Sequence, residues 1–137
     1  MKTFYLKVVA CDKVFFDGEC VSLTIPLKDG SKGILPGHED TVMAIVSGEM
    51  CIKVEDGEPF HAFVGSGFIE MIDGEATIIV ISCEKPEDID VKRAKEAMER
   101  AREELRQRQS MREYYHSTAS LARAMERLKL KKKYNKI

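Results

Sequence analysis

The sequence predicts an α+β protein in which an N-terminal antiparallel β-sandwich, residues 1–85, is followed by a C-terminal antiparallel two-helix hairpin, residues 86–137. All of the chain's glycines lie at or before Gly74, and all of its arginines lie at or after Arg93. Residues 1–85 carry 7 lysines and 14 acidic residues, whereas residues 86–137 carry 15 basic and 9 acidic residues. A module of net charge −7 is therefore joined to one of net charge +6.

The first module has the pattern of short strands separated by tight turns. Its apolar segments are rich in β-branched and aromatic residues, and Met50, Ile52 and Val54 recur at the period of two that is typical of a half-buried strand. Asp-Gly and Ser-Gly dipeptides supply the positive φ angles of tight turns, and they occur at residues 17–18, 29–30, 47–48, 56–57 and 73–74. The predicted strands span residues 4–9, 14–16, 20–25, 42–46, 50–54, 60–64, 68–71 and 77–81. Many short strands at this spacing favour an antiparallel sandwich or barrel.

The second module consists of strong helix formers, and no glycine or proline follows Pro86. Asp88 or Asp90 is expected to cap the first helix. Apolar or small residues then recur at steps of three and four, as Val91, Ala94, Met98, Ala101 and Leu105 in the first helix and as Thr118, Leu121, Met125 and Leu128 in the second. The bend is expected at residues 109–111. Because alanines bury little area, the hairpin should be only marginally stable alone.

Several classes of function are disfavoured. The four cysteines lack C-x-x-C spacing and are expected to be buried free thiols, and the three histidines lack ligand spacing, so we predict no metal site and no required cofactor. No segment approaches the roughly 20 apolar residues of a membrane-spanning helix, so direct membrane insertion is not expected. The sequence has no P-loop, no G-x-G-x-x-G motif and no evident nucleophile with a base. A binding protein is therefore favoured over an enzyme.

Four arginines of the hairpin stand out from its other charges. Arg123 and Arg127 lie four residues apart on one helix face and repel each other unless an anion lies between them. Arg93 and Arg100, seven residues apart, also share a helix face. If the helices fold back on each other, both pairs can converge on one anion, and guanidinium groups suit phosphate. From spacing alone, the alternative stays open that these arginines are solvated or paired with acidic neighbours such as Glu126.

The remaining charges of the hairpin need no ligand to explain them. Glu96 with Arg100 and Glu104 with Arg108 have the i,i+4 spacing that supports a helix. The lysine-rich end, residues 129–136, could attract nucleic acid, but it lacks an aromatic stacking platform beyond one tyrosine. We therefore predict no nucleic-acid partner, and an acidic protein partner suits the positive hairpin better.

Three segments, which occur along the chain in the same order as in the family, resemble the epsilon subunit of bacterial F-type rotary, proton-translocating ATP synthases. They are Gly-Ile-Leu-Pro-Gly-His at residues 33–38, Gly-Ser-Gly-Phe-Ile-Glu at residues 65–70 and Glu-Asp-Ile-Asp-Val-Lys-Arg-Ala at residues 87–94. The resemblance runs from about Lys2 to Leu128. The architecture of that family, a β-sandwich followed by a two-helix hairpin, agrees with the fold predicted above.

The resemblance implies a non-catalytic subunit of the central rotor, which couples proton transport to ATP synthesis. The protein would lie peripherally at the cytoplasmic face of the plasma (inner) membrane as part of the synthase. Its sandwich would bind the gamma subunit and rest on the ring of c subunits. The family's ring-facing residues correspond to Lys28, Asp29, Gly30, Ser31 and Lys32, together with His38. The alternative for His38 is a turn residue that is hydrogen-bonded locally.

In this family the hairpin either folds against the sandwich or extends along gamma towards the catalytic alpha and beta subunits, where it obstructs ATP hydrolysis. Members with an Ile-Asp-x-x-Arg-Ala motif can bind ATP in the folded form. The matching positions here, candidates for binding ATP as a regulatory ligand, are Glu84, Ile89, Asp90, Arg93, Ala94, Arg100, Arg123 and Arg127. Two alternatives stay open: the same subunit without ATP sensing, or a stand-alone β-sandwich adaptor with a helical arm.

Overall fold

The computed structural model describes residues 2–11, 13–107 and 111–134. The chain divides into two compact units, Met1–Lys85 and Pro86–Ile137. The first unit holds all of the described strands, and the second holds both described α-helices.

The first unit is a sandwich of two five-stranded sheets. Its described strands are β1 (Phe4–Ala10), β2 (Lys13–Cys20), β3 (Ser22–Leu27), β4 (Gly30–Ile34), β5 (Thr41–Ile45), β6 (Gly48–Lys53), β7 (Phe60–Val64), β8 (Gly67–Ile72), β9 (Glu75–Val80) and β10 (Cys83–Glu84). One sheet has the order β2-β1-β9-β8-β5 and the other β10-β7-β6-β3-β4. The predicted sandwich is confirmed, although β1 and β9 pair parallel where antiparallel pairing was expected.

Alternating side chains build the core between the two sheets. In β1, Phe4, Leu6 and Val8 are at most 4 % exposed, whereas the residues between them are half-buried. Met50 and Ile52 of β6 are buried in the same way, as their period-two pattern predicted. Each large apolar side chain removed from water contributes about 1.5–3 kcal/mol, so the two inner faces hold the sheets together.

The turn predicted at Asp17-Gly18 is wrong. Both residues lie inside β2, where Asp17 pairs with Lys7 and Gly18 with Leu6 of β1. Cys11, directly after β1, has a φ of 44° and supplies the left-handed turn conformation there. Pairing with the long strand β1 therefore overrides the local turn preference of the dipeptide.

Two strands, β4 and β10, were not predicted from the sequence. The sequence of β4 is Gly-Ser-Lys-Gly-Ile, in which only Ile34 is buried, and it forms as an edge strand on β3. The strand β10 has two residues, Cys83 and Glu84. Neither segment carries an alternating apolar pattern, so the neighbouring strand rather than local preference determines its conformation.

The cysteines only partly match the expectation of four buried free thiols. All four are free, and Cys20 and Cys83 are buried. Cys51 is half-buried, and Cys11 is exposed because it lies in the turn after β1.

The hairpin of β8 and β9 requires glycine at its turn and at the start of β8. Asp73 and Gly74 have φ values of 49° and 78°, as a two-residue type I′ turn between β8 and β9 requires. A Cβ atom on Gly67 would overlap the carbonyl oxygen of Ile79 and lie 2.7 Å from the Cα atom of Val80. Gly67 therefore allows β8 and β9 to approach each other closely.

The second unit begins with a 3₁₀ turn, Pro86–Asp88, followed by α1 (Val91–Gln107) and α2 (Met111–Tyr134). Of the bend predicted at residues 109–111, residues 109 and 110 lie outside the described residues and Met111 begins α2. The two helices are antiparallel, because Ser117 Oγ lies 2.6 Å from Glu104 Oε2 while Lys131 Nζ lies 3.1 Å from the carbonyl oxygen of Pro86. The predicted two-helix hairpin is confirmed.

The two helices meet along a seam of small side chains. The seam residues, each at most 5 % exposed, are Ala94, Ala101, Ser117 and Ala124, and Leu130 near the end of α2 is buried to the same degree. The stripe predicted for α1 is confirmed, since Val91, Met98 and Leu105 are half-buried beside this seam. The stripe predicted for α2 is partly wrong, because Thr118 and Met125 are exposed. Helix axes that approach closely leave room for alanine and serine but not for a longer side chain.

Candidate functional site

The start of α1 gives most of the Ile-Asp-x-x-Arg-Ala motif a structural role. Ile89 is 4 % exposed, and its N–H donates to the carbonyl oxygen of Pro86 at 3.3 Å. Asp90 Oδ1 accepts the N–H of Arg93 at 3.1 Å, and the Asp90 carbonyl accepts the N–H of Ala94 at 3.0 Å. Asp90 is therefore the N-cap of α1, and its charge complements the helix dipole. Asp90 and Arg93 are both exposed, and the Arg93 side chain is the member of the motif with no structural role at the start of α1.

Four arginines lie on one lateral face of the hairpin. Arg93, Arg100 and Arg123 each directly precede a buried alanine of the seam. One residue turns an α-helix by about 100°, so each of these arginines is displaced from the seam in the same rotational sense. Two antiparallel helices are related by a two-fold axis perpendicular to the plane that contains them. The same rotation on either helix therefore leads to the same side of the hairpin.

Arg127 joins this face because it follows Arg123 by about one helical turn. The contacts that link Glu104 with Ser117 and Pro86 with Lys131 also set the level of α2 along α1. Interpolation between them places Arg127 about level with Arg93, and Arg123 between Arg93 and Arg100. At 1.5 Å per residue, these arginines span about 12 Å along the helices. We call Arg93, Arg100, Arg123 and Arg127 the arginine face.

The arginine face combines exposed and partly enclosed guanidinium groups. Arg93 and Arg100 are exposed, whereas Arg123 and Arg127 are half-buried. The Nη2 atom of Arg123 donates to Ser120 Oγ at 3.1 Å, which orients this side chain from within its own helix. Several planar, permanently charged forks within about 12 Å can bind a polyanion through bidentate, charge-assisted hydrogen bonds.

The described ion pairs within α1 involve Arg102 and Arg106 rather than Arg93 and Arg100 of the arginine face. Arg102 pairs with Glu99 at 3.3 Å and Arg106 with Glu103 at 3.2 Å. These i,i+3 pairs replace the predicted pair of Glu96 with Arg100, which the structure does not form. Both spacings bring side chains together on a helix.

The other predicted pair, Glu104 with Arg108, involves a residue outside the described ranges. Glu104 accepts the hydroxyl hydrogen of Ser117, which is 2 % exposed. A buried hydroxyl group is costly unless it is hydrogen-bonded, so this contact satisfies Ser117 within the seam.

Glu84, the remaining residue that the resemblance assigned to ATP, lies in β10 and so belongs to the sandwich unit. It is half-buried and pairs with Phe63 of β7. The other assigned residues, from Ile89 to Arg127, all belong to the hairpin unit.

The residues from Lys28 to Lys32 that the resemblance assigned to the c-ring belong to the hairpin between β3 and β4. Lys28 and Asp29 make its two-residue turn, because Leu27 pairs with Gly30 across it. Gly30, with a φ of 123°, begins β4, in which Ser31 and Lys32 follow. Lys28, Asp29, Gly30 and Ser31 are exposed, whereas Lys32 is half-buried. The tip of the hairpin therefore presents charged and small side chains to solvent.

His38 has the local hydrogen bonds of a turn residue. Its backbone N–H donates to the carbonyl oxygen of Leu35 at 3.2 Å. Its Nδ1 atom lies 2.8 Å from the carbonyl oxygen of Glu39. Because a carbonyl oxygen only accepts, Nδ1 carries the proton in this contact.

Sequence reasoning missed the residues that position the arginine face rather than form it. Ser117 and Ser120 had no signal beyond their polarity, and Lys131 was seen only as one charge in a basic tail. Their contacts depend on which residues the second helix places opposite the first. The register of the hairpin is needed to find them.

The thiol groups of Cys20 and Cys83 are poor nucleophiles. Burial raises the pKa of each to about 12, and the thiolate is the reactive form of cysteine. His61 Nδ1 lies 3.1 Å from Glu49 Oε2 in the sandwich unit. Among the described residues, no group of His, Cys, Asp and Glu side chains could hold a metal ion.

Within the described ranges, neither helix combines the length and the apolar character needed to cross a membrane.

Two family models together match almost the whole chain. Residues 3–86 match the model of the ATP synthase Delta/Epsilon chain, beta-sandwich domain. Residues 87–132 match the model of the ATP synthase Delta/Epsilon chain, long alpha-helix domain.

Bacterial relatives named ATP synthase epsilon chain are similar over nearly their full length. The one from Ruminiclostridium cellulolyticum is 39% identical and covers 93% of this chain and 95% of its own. The one from Caldanaerobacter subterraneus subsp. tengcongensis is 38% identical and covers 99% of both chains.

Two solved structures share the fold. A chain of the mitochondrial ATP synthase of Euglena gracilis has a TM-score of 0.78 at 23% identity, over 90% of this chain and 78% of that one. A chain of the central stalk and c-ring of the mitochondrial ATP synthase of Tetrahymena thermophila has a TM-score of 0.66 at 11% identity, over 95% and 97%.

Proposed function

The chain belongs to the ATP synthase delta/epsilon-chain family, and on that premise we propose that it is a non-catalytic central-stalk subunit of a rotary ATP synthase. In this role the sandwich binds the gamma subunit and the c-ring, and so couples proton transport to ATP synthesis. The protein lies at the cytoplasmic face of the membrane as part of the complex. Its hairpin binds ATP when closed and inhibits ATP hydrolysis when extended. The observation that carries the regulatory part is the arginine face.

The proposed ATP site draws on both helices of the hairpin. Arg93 and Arg100 meet the phosphate groups from α1, and Arg123 and Arg127 meet them from α2. Asp90 acts through α1, because its carboxylate already accepts the N–H of Arg93. Its negative charge also makes it unsuited to contact phosphate directly. ATP that binds both helices stabilises the closed form of the hairpin.

ATP binding of this kind controls the conformation because the seam is weak. Apart from Leu130 near the end of α2, the buried residues described in the two helices are alanines and a serine, and each of these removes less apolar area from water than a leucine would. A ligand that binds only the closed hairpin stabilises it by RT ln(1 + [L]/Kd), about 2.7 kcal/mol at a hundredfold excess over Kd. A falling ATP concentration removes that stabilisation and releases the helices.

The released helices then engage the catalytic subunits. Residues 86–137 carry 15 basic and 9 acidic residues, so an extended hairpin is attracted to acidic segments of alpha and beta. Contact there obstructs ATP hydrolysis. Charge pairing at such an interface is weakened by salt, because exposed charges are screened.

The rotor contact is made by the hairpin between β3 and β4. Its exposed tip, from Lys28 to Ser31, together with Lys32 and His38, faces the ring of c subunits. Lysines at a sheet edge also discourage unwanted pairing with another strand. The local hydrogen bonds of His38 hold its loop in shape beside this contact.

Calorimetric titration of ATP into the purified full-length chain tests the nucleotide site. Arg127→Ala is expected to weaken ATP binding about tenfold to a hundredfold, because a hydrogen bond to a charged group contributes about 1.5–3 kcal/mol. Arg102→Ala is the matched control. Arg102 pairs with Glu99, and it follows the seam residue Ala101, so it lies on the opposite lateral face.

The two variants separate the competing interpretations. A loss confined to Arg127→Ala supports the arginine face as the phosphate site. Equal losses in both variants would indicate a general charge effect. Absence of heat at millimolar ATP would leave a stalk subunit without nucleotide sensing.

A further inference from the structure

Lys131 differs from the other lysines near the end of α2. Its Nζ atom donates to the carbonyl oxygen of Pro86 at 3.1 Å, across 45 residues of sequence. Lys131 is half-buried, whereas Lys129, Lys132 and Lys133 are exposed. Lys131 therefore makes a defined contact at the base of the hairpin.

The acceptor of this contact belongs to the turn that starts α1. The carbonyl oxygen of Pro86 also accepts the N–H of Ile89 at 3.3 Å. The next residue, Asp90, caps α1 through the N–H of Arg93. Since a hydrogen bond from an ammonium group is charge-assisted, Lys131 ties the last turns of α2 to the segment that sets the first turn of α1.

The position of this contact also matters for the arginine face. Lys131 follows Arg127 by about one helical turn, and Pro86 precedes Arg93 by seven residues. A shift of α2 by a single residue would move both Arg127 and Lys131 by about 1.5 Å relative to α1, away from the arrangement in which Lys131 meets Pro86. The contact therefore favours one axial alignment of α2 against α1.

We propose that Lys131 is a positioning residue for the arginine face: its bond to Pro86 holds the base of the hairpin closed and sets the level of Arg127 against Arg93. This inference rests on the proposed ATP binding. A ligand that binds only the closed form has an apparent Kd equal to the intrinsic Kd divided by the closed fraction. Loss of the bond thus weakens ATP binding although Lys131 does not contact the nucleotide.

The test compares Lys131→Met with Lys132→Met in the full-length chain. Lys132 is exposed on the same turn, so its replacement removes the same charge from the same helix. Amide hydrogen exchange is measured without ATP, and the Kd for ATP is measured by calorimetry. Lys131→Met is expected to speed exchange in residues 86–95 about tenfold, as loss of one charge-assisted hydrogen bond implies, and to raise the Kd by up to the same factor. Lys132→Met is expected to change neither.

A conservative variant separates the bond from the shape of the side chain. Lys131→Arg keeps a cationic donor and is expected to restore both measurements towards the wild-type values. If it behaved like Lys131→Met, the bond to Pro86 would not be the cause and the proposal would fall.

Three further outcomes overturn the proposal. They are equal effects of Lys131→Met and Lys132→Met, unchanged exchange in Lys131→Met, and faster exchange with an unchanged Kd. If the wild-type chain bound no ATP, the proposed nucleotide site would fail. The positioning of Arg127 for ATP would fail with it, while exchange without ATP would still decide whether Lys131 closes the hairpin.

Discussion

Replacing Ala124 with leucine is expected to open the helical hairpin. Ala124 is 1 % exposed at the seam, so the three additional carbon atoms of leucine would have to displace the atoms that cover it. Overpacking of this kind costs about 1–3 kcal/mol. A cost of about 2 kcal/mol lowers the ratio of closed to open hairpin about thirtyfold. Since the proposed ATP site exists only in the closed form, the apparent affinity for ATP falls by up to the same factor.

Ala122→Leu is the matched control, because Ala122 is exposed on the same helix only two residues away. Hydrogen exchange of α2 without ATP reports the opening, and calorimetry reports the affinity. Ala124→Leu is expected to show faster exchange and weaker ATP binding, with little change for Ala122→Leu. Equal changes in the two variants, or wild-type behaviour of Ala124→Leu, would refute the reasoning about the seam.

Three further predictions concern the stability of the two units. Gly67→Ala is expected to destabilise the sandwich by about 2 kcal/mol or more, because its Cβ would overlap the neighbouring strand. Gly33→Ala is the control, because a Cβ atom there meets open space, and it should leave the thermal midpoint of unfolding nearly unchanged. Equal shifts of the midpoint in Gly67→Ala and Gly33→Ala would contradict this prediction. Asp90→Ala is expected to destabilise the first helix by about 1 kcal/mol, measured by thermal melting followed through helix content. Asp90→Ser keeps a capping oxygen and should retain most of the stability. Equal losses of stability in the two variants would argue against the cap. Burial raises the pKa of Cys20 and Cys83 from 9.0 to about 12, so the folded state retains thiol protons that the unfolded chain releases. The free energy of unfolding in urea should therefore decline as the pH rises above 9, and less steeply in a Cys20→Ala/Cys83→Ala variant; an unchanged slope would contradict the assignment.

The sandwich could be predicted where side chains carried the signal. Met50 and Ile52 alternate with more polar neighbours, and they are buried as expected. The tight turn predicted at Asp17-Gly18 does not form, because pairing with β1 holds these residues in a strand. The edge strand β4 could not be found from the sequence, since its conformation comes from β3 and only Ile34 is buried.

The hairpin was predictable in outline and less so in its contacts. Helix-forming composition and spacing identified both helices and singled out the four arginines. The buried positions of α2 were shifted, because close helix packing selects Ser117 and Ala124 while Met125 stays exposed. The role of Lys131 depends on a residue 45 positions away. No local pattern encodes such a contact.

The most direct test of the account is hydrogen exchange of the full-length chain measured across an ATP titration. If ATP binds only the closed hairpin, exchange in α1 and α2 should slow about a hundredfold at a hundredfold excess of ATP over its Kd. Exchange in the sandwich core, from Phe4 to Val80, should stay the same. Unchanged exchange throughout the hairpin at millimolar ATP would contradict the claim that ATP closes it.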